Sequence, residues 1–123
     1  MTFDRLTAPL RGTRLGQALF WASALFALVM ALLPHPPRLP GEPSDKAQHV
    51  IAFATLGLLG GLAFPSTRTR RLIVALSLFG AAIEVLQAIP ALHRDSDPLD
   101  WIADTVACSI VLVAVRRWMP PTR

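Results

Sequence analysis

Three short stretches of this 123-residue sequence carry polar side chains at spacings that could build a chemical site. Each stretch holds a pair of such side chains three or four residues apart, which places both members on one face of a helix. The pairs are Asp45 with His49, Glu84 with Gln87, and Asp100 with Asp104. Imidazole and carboxylate groups can exchange protons, accept hydrogen bonds or bind a metal ion. Two nearby cations, Lys46 and Arg94, have the charge needed to bind phosphate or carboxylate groups.

Four apolar segments must position these pairs: residues 15–33, 46–64, 72–89 and 99–115. Hydrophobic residues make up 53% of the chain and charged residues 16%, against roughly 25% charged residues in soluble domains. Each segment has the length of a helix that crosses a hydrocarbon core of about 30 Å. The segments are apolar nearly all round, whereas the helices of a soluble bundle need polar outer faces. The sequence therefore predicts an all-α, polytopic membrane protein with a bundle of four transmembrane helices.

Residues 15–33 follow a basic leader and have two interpretations, a cleaved signal peptide or a retained first span. The apolar stretch is longer than a signal peptide requires, and prolines follow it without a small-x-small cleavage site. We therefore expect a retained span.

The basic residues are distributed unevenly among the connections. Nine of the twelve Lys and Arg residues lie in residues 1–14, in the loop 65–71 and in residues 116–123. By the positive-inside rule these regions, and with them both termini, are cytoplasmic, and the two acidic loops face outward. The predicted organisation is a leader (residues 1–14), a four-helix transmembrane domain (residues 15–118) and a tail (residues 119–123).

The sequence predicts where several helices begin. Asp97 before Pro98 predicts an N-cap followed by proline at the first helical position. Asp45 with Gln48 three residues later fits a capping box. Lys46 in a first turn opposes the helix dipole, which predicts a specific acidic partner.

The predicted orientation puts the polar pairs of three helices at one depth, near the outer ends of the spans. A charge in hydrocarbon costs at least about 2.5 kcal/mol, so these side chains should face each other, a cavity or the surface. Asp45, Asp97 and Asp100 are equally well explained as helix caps, and His49 as a hydrogen-bonded interhelical residue. Glu84 and Asp104 lie away from helix ends, which favours a functional role. The candidate polar pocket consists of Asp45, Lys46, His49, Glu84, Gln87, Arg94, Asp100 and Asp104.

The stretches "DKAQHVIAF", "EVLQ" and "HRDSDPLDWIAD" resemble the VanZ-like family of small bacterial membrane proteins. The family pattern is Asp-Lys-x-x-His with a following Phe, then Glu-x-x-Gln, then an Arg and Asp-x-x-x-(Asn or Asp). The matching positions are Asp45, Lys46, His49, Phe53, Glu84, Gln87, Arg94, Asp100 and Asp104. Ala107 stands where the family often has glycine, and Asp104 where Asn is common. The resemblance covers about residues 40–115 and implies a place in the inner membrane of a bacterial cell envelope. The family is named after an accessory protein that lowers susceptibility to teicoplanin-type glycopeptides.

Three functions compete. The first is a non-enzymatic membrane protein whose outward-facing pocket binds an envelope lipid headgroup or a cell-wall precursor. The second is a membrane-embedded enzyme that acts on a lipid-linked phosphate through His49, Glu84 and Asp104. The third is a small proton-coupled transporter. It would need a homo-oligomer, because the cytoplasmic halves of the predicted spans lack charged side chains that could complete a proton path.

The sequence indicates few partners beyond these. The bilayer and an envelope lipid or cell-wall precursor are the partners that we expect. The short basic clusters lack interleaved aromatic residues, which argues against binding of nucleic acid. We expect no cofactor and no metal, because His49, Glu84 and Asp104 come from separate segments without a local motif such as H-E-x-x-H. Cys108 is the single cysteine, so an internal disulfide is excluded.

Overall fold

The computed structural model describes residues 2–34, 45–94 and 96–119, and this part of the chain is all-α. A short helix α1 (Thr2–Thr7) lies within the leader, and a single 3-10 turn (Pro90–Leu92) follows the third long helix. The four long helices are α2 (Arg14–Leu32), α3 (Asp45–Ala63), α4 (Thr69–Gln87) and α5 (Pro98–Trp118). The predicted all-α fold with four main helices is confirmed, and the helices begin and end within a few residues of the predicted segments.

Side chains at the helix ends explain where two of these helices begin. The amide of Gly16 donates to the Thr13 hydroxyl oxygen at 3.1 Å, which caps α2. The amide of Leu99 donates to Asp97 Oδ1 at 3.0 Å, and Pro98 occupies the first position of α5. The predicted cap at Asp97 is therefore confirmed. The predicted cap at Asp45 concerns a side chain that lies outside the described part of the chain.

Helix α3 lies at the centre of the bundle, in contact with α2, α4 and α5. Its most extensive contact is with α5, which runs parallel to it because an even number of reversals separates the two helices. Gly57 permits the close approach: a Cβ atom at this position would lie 2.8 Å from the Cys108 carbonyl oxygen. The small-residue face that includes Gly57 therefore packs backbone against backbone.

Large apolar side chains fill the centre of the bundle and also cover its outside. Phe53, Leu56 and Leu112 are fully buried between the helices. On the outer faces, the exposed fraction is 63% at Trp21 and 65% at Leu78. All four long helices carry such exposed apolar residues, whereas the outside of a water-soluble bundle is mostly polar.

Two of the helices, Arg14–Leu32 and Pro98–Trp118, are long and apolar enough to cross a membrane. Helices α3 and α4 have similar lengths, and both contain charged or strongly polar residues near their ends. Lys46 and His49 lie near the start of α3, and Arg70, Arg71 and Glu84 lie in α4. Of the predicted four spans, the structure thus supports two by length and composition.

The two ends of the bundle differ in charge. Arg116 lies at one end, where its guanidinium donates to the carbonyl oxygens of Phe64, Pro65 and Thr67 at 2.7 to 2.9 Å. At the same end the Thr7 hydroxyl lies 3.3 Å from Met119 Sδ, which joins the leader to the end of α5. The opposite end, where α3 and α5 begin and α4 ends, holds the buried acids.

Candidate functional site

The candidate site lies at the end of the bundle where α3 and α5 begin and α4 ends. Four polar or charged side chains are buried among the described residues: Thr7, Glu84, Gln87 and Asp104. Three of these four, together with the partly buried His49, belong to this end. The polar character of the bundle interior is therefore concentrated in one layer.

His49 and Asp104 contact each other across α3 and α5. His49 Nδ1 lies 3.3 Å from Asp104 Oδ2, and Asp104 is 1% exposed. The contact arises because the two helices are parallel and begin at the same end, and each residue lies near the second turn of its helix. The second oxygen of Asp104, Oδ1, is buried and has no hydrogen-bond partner among the described residues.

Glu84 joins the last turn of α4 to the start of α5. Its Oε2 accepts hydrogen bonds from the backbone amide of Asp97 at 3.0 Å and from the hydroxyl of Ser96 at 3.2 Å. The positive end of the α5 dipole favours a carboxylate at this place. The other oxygen, Oε1, is buried and has no partner in the described part of the chain. Glu84 therefore has one oxygen held by protein donors and one buried oxygen that accepts no hydrogen bond from a described residue.

Gln87 connects α4 to α2. Its amide Nε2 donates to the Ala31 carbonyl oxygen at 3.0 Å, which satisfies one of the carbonyl groups left open at the end of α2. Gln87 is 1% exposed, and its Oε1 is a third buried oxygen without a partner among the described residues.

Three of these side chains converge on one point. A ring nitrogen of His49 and one carboxylate oxygen each from Glu84 and Asp104 all lie within 4.8 Å of one another. Two buried carboxylates at this separation repel each other if both are ionised, and each unpaired buried oxygen costs about 1–3 kcal/mol. The arrangement is suited to binding a cation, holding a shared proton or orienting an imidazole base.

The cations of the candidate pocket lie at its rim. Lys46 Nζ is 3.7 Å from Asp100 Oδ1 and 4.0 Å from Asp97 Oδ2, so the predicted acidic partner of Lys46 is confirmed. Arg94 Nη1 donates to the Leu33 carbonyl oxygen at 3.1 Å, at the other side of the site near the end of α2.

A cavity of about 80 Å³ opens beside His49, and its wall also includes Arg94 and Gln48. The rest of its wall is apolar, with Phe26 and Met30 from α2. A second cavity of about 260 Å³ shares Phe26 and Gln48 with the first and continues between α2 and α3 as far as Ser23 and Thr55. The two cavities share part of their lining and together form an apolar groove with a polar end.

The predicted site residues thus occupy distinct places. The structure brings His49, Glu84 and Asp104 together, puts Lys46 and Asp100 at the rim, and directs Gln87 and Arg94 toward α2. The Asp45 side chain lies outside the described part of the chain.

Two contributors were not predicted, namely Ser96 and the backbone amide of Asp97, which hold Glu84. The sequence indicated Asp97 as a helix cap. The hydrogen bonds from the loop to Glu84 depend on a loop conformation that no local pattern specifies.

Comparisons with models of protein families, with curated proteins and with solved structures found no match to this chain. The resemblance to the VanZ-like family rests on the three stretches quoted above, and it stays a prediction.

Proposed function

We propose that this chain is a VanZ-like membrane protein of the bacterial inner membrane, with four spans and both termini cytoplasmic. Its outward-facing pocket binds the phosphate-bearing headgroup of an envelope lipid or of a lipid-linked cell-wall precursor. The observation that carries the proposal is the cavity with His49 and Arg94 at its polar end, continued by an apolar groove between α2 and α3.

The exposed apolar surface supports the four spans. Exposed fractions of 63% at Trp21, 60% at Ile51, 65% at Leu78 and 64% at Ile110 put large apolar side chains on the outer face of each long helix. Helices of 19 to 21 residues measure about 28 to 32 Å, close to the thickness of the hydrocarbon core. The basic end of the bundle supports the orientation, since arginine-rich loops remain in the cytoplasm.

The groove supports an amphiphile as the ligand. An acyl or polyprenyl chain would lie between α2 and α3, where Phe26, Ile51 and Ala52 provide apolar contact. The headgroup would then reach the polar end, where the Arg94 guanidinium can bind a phosphate with two parallel hydrogen bonds. Lys46 does not bind the headgroup directly in this proposal, because its ammonium group already pairs with Asp97 and Asp100. Binding of such a lipid would alter envelope properties, and the resemblance implies altered glycopeptide susceptibility.

The test is a mass-spectrometric survey of the lipids that co-purify with the chain in mild detergent. We expect one class of phosphate-bearing lipid to be enriched over the bulk membrane. Because a charge-assisted hydrogen bond contributes about 1.5–3 kcal/mol, Arg94→Ala should reduce that enrichment by about 10-fold or more. Arg71→Ala is the matched control, since this exposed arginine lies at the opposite end. Absence of an enriched lipid, or equal loss in both variants, would contradict the proposal.

A specific contact favours an enzyme as the second candidate. The 3.3 Å contact between His49 Nδ1 and the buried Asp104 carboxylate resembles the pairing of a general base with the group that orients it. Turnover of a polyprenyl diphosphate by the wild type, abolished in His49→Ala, would favour this candidate. Phosphate release that is equal in the two proteins would exclude His49 as the base.

A further inference from the structure

The clustering of His49, Glu84 and Asp104 has a consequence that is independent of lipid binding. Three helices each supply one metal-ligating side chain, and the three donor atoms lie within 4.8 Å of one another. Glu84 is 7% exposed and Asp104 is 1% exposed, so neither carboxylate is simply solvated. Such a set of nitrogen and oxygen donors is typical of zinc and manganese sites.

In the described part of the chain, no positively charged side chain pairs with two of the carboxylate oxygens. Glu84 Oε1 and Asp104 Oδ1 are buried and have no hydrogen-bond partner among the described residues. Lys46, the single lysine of the sequence, pairs with Asp97 and Asp100 instead. Buried carboxylates are normally paired with a cation or coordinate a metal.

The contacts that do exist fix the carboxylates in a suitable orientation. Ser96 and the Asp97 amide hold Glu84 through Oε2, which leaves Oε1 for a ligand. His49 Nδ1 contacts Asp104 Oδ2, which leaves Asp104 Oδ1 and the other ring nitrogen of His49 for a ligand. Hydrogen bonds to the second atom of a ligating group orient metal ligands in known sites. At both carboxylates one oxygen is held by a protein contact and the other is left for a ligand, and this shared arrangement favours a binding role over packing alone.

We propose that His49, Glu84 and Asp104 form a binding site for a divalent transition-metal ion, Zn²⁺ or Mn²⁺. Donor atoms bound to one ion at about 2.1 Å lie about 3.4 Å apart in a tetrahedral site, so two donors 4.8 Å apart must approach by about 1.4 Å. Three protein donors leave at least one coordination position for water or another ligand. Since His49 also lines the cavity, that position is close to the space that an anionic headgroup would enter.

The experiment uses the full chain, purified in detergent, stripped with EDTA and titrated with Zn²⁺ or Mn²⁺ alone. We expect saturable binding of about one ion per chain to the wild type. The variants His49→Ala, Glu84→Gln and Asp104→Asn should each weaken binding by more than about 10-fold. His93→Asn and Asp4→Asn replace an exposed histidine and an exposed carboxylate elsewhere and should bind as the wild type does.

Two measurements of folding separate a loss of metal binding from a loss of structure. Circular dichroism and gel filtration identify variants that do not fold, and Glu84→Gln and Asp104→Asn preserve side-chain shape, so the conclusion rests on whichever of them folds. Absence of saturable binding by the wild type for both ions overturns the proposal. Binding that is unchanged in a folded Glu84→Gln or Asp104→Asn variant overturns it as well. The titration contains no added lipid, so its result is independent of the lipid survey.

Discussion

Gly57→Ala tests whether the close approach of α3 to α5 supports both the fold and the site. The added methyl group would lie 2.8 Å from the Cys108 carbonyl oxygen and 3.1 Å from Cys108 Cα. Ordinary contact begins at 3.4 Å, so the two helices must separate by about 0.6 Å at this point. Overpacking of a tight interface costs about 1–3 kcal/mol.

The same displacement reaches the site if the helices move as rigid units. His49 Nδ1 and Asp104 Oδ2 are 3.3 Å apart, and a further 0.6 Å would take this pair beyond about 3.5 Å, where hydrogen bonding is lost. We therefore expect Gly57→Ala to lower stability and to weaken the contact that orients His49, although residue 57 lies two turns away from it.

The assay is thermal unfolding in one detergent at a fixed scan rate, because the apparent Tm depends on the scan rate wherever unfolding is irreversible. For a chain of this size each kcal/mol lowers Tm by about 3–5 °C, so a loss of about 1–3 kcal/mol corresponds to a fall of about 3–15 °C. Gly60→Ala is the matched control, because its methyl group would meet the Phe20 side chain at 3.3 Å, and a side chain can move more easily than a backbone. An equal fall in Tm for the two variants, or no fall for Gly57→Ala, would refute the reasoning.

Four further predictions concern single side chains, each checked by thermal unfolding against the wild type. Gln87→Leu should lower stability by about 1 kcal/mol, because the hydrogen bond to the Ala31 carbonyl oxygen is lost; an unchanged Tm would contradict this. Arg116→Ala should cost about 1.5–3 kcal/mol through three lost carbonyl contacts, whereas the exposed neighbour in Arg117→Ala should cost little. Lys46→Gln should change stability by less than about 1 kcal/mol, since the Lys46 side chain is 53% exposed, and a larger loss would contradict this. In EDTA, Asp104→Asn should leave the stability nearly unchanged, because the lost attraction to His49 is offset by the relief of carboxylate repulsion. With saturating Zn²⁺, the wild type should gain stability and the variant should not. An equal effect of Zn²⁺ on the two proteins would contradict the metal site.

The long helices were predictable because their determinants are local. Apolar runs bounded by charged or cap residues specify α2 to α5, and Asp97 with Pro98 marks the start of α5. The convergence of polar residues at one end followed from the alternating direction of the helices. His49 and Asp104 each lie near the second turn of a helix, and parallel helices bring such turns to one level.

The remaining features depend on tertiary structure. No local pattern specifies that Ser96 holds Glu84, or that Gln87 reaches the Ala31 carbonyl oxygen, because these contacts depend on loop conformation and helix rotation. The expectation of no metal relied on the absence of a local motif. The sequence grouped His49, Glu84 and Asp104 as candidates, but the distances that bring their donor atoms within 4.8 Å of one another depend on how the three helices pack.

The proposed headgroup binding is tested most directly by native mass spectrometry of the wild-type chain with two lipids that share the same acyl chains. Phosphatidic acid carries the phosphate that Arg94 would bind, and diacylglycerol lacks it. The proposed function predicts that phosphatidic acid remains bound at collision energies that remove diacylglycerol, and that Arg94→Ala removes this difference. Equal retention of the two lipids by the wild type would contradict phosphate recognition at the polar end of the groove.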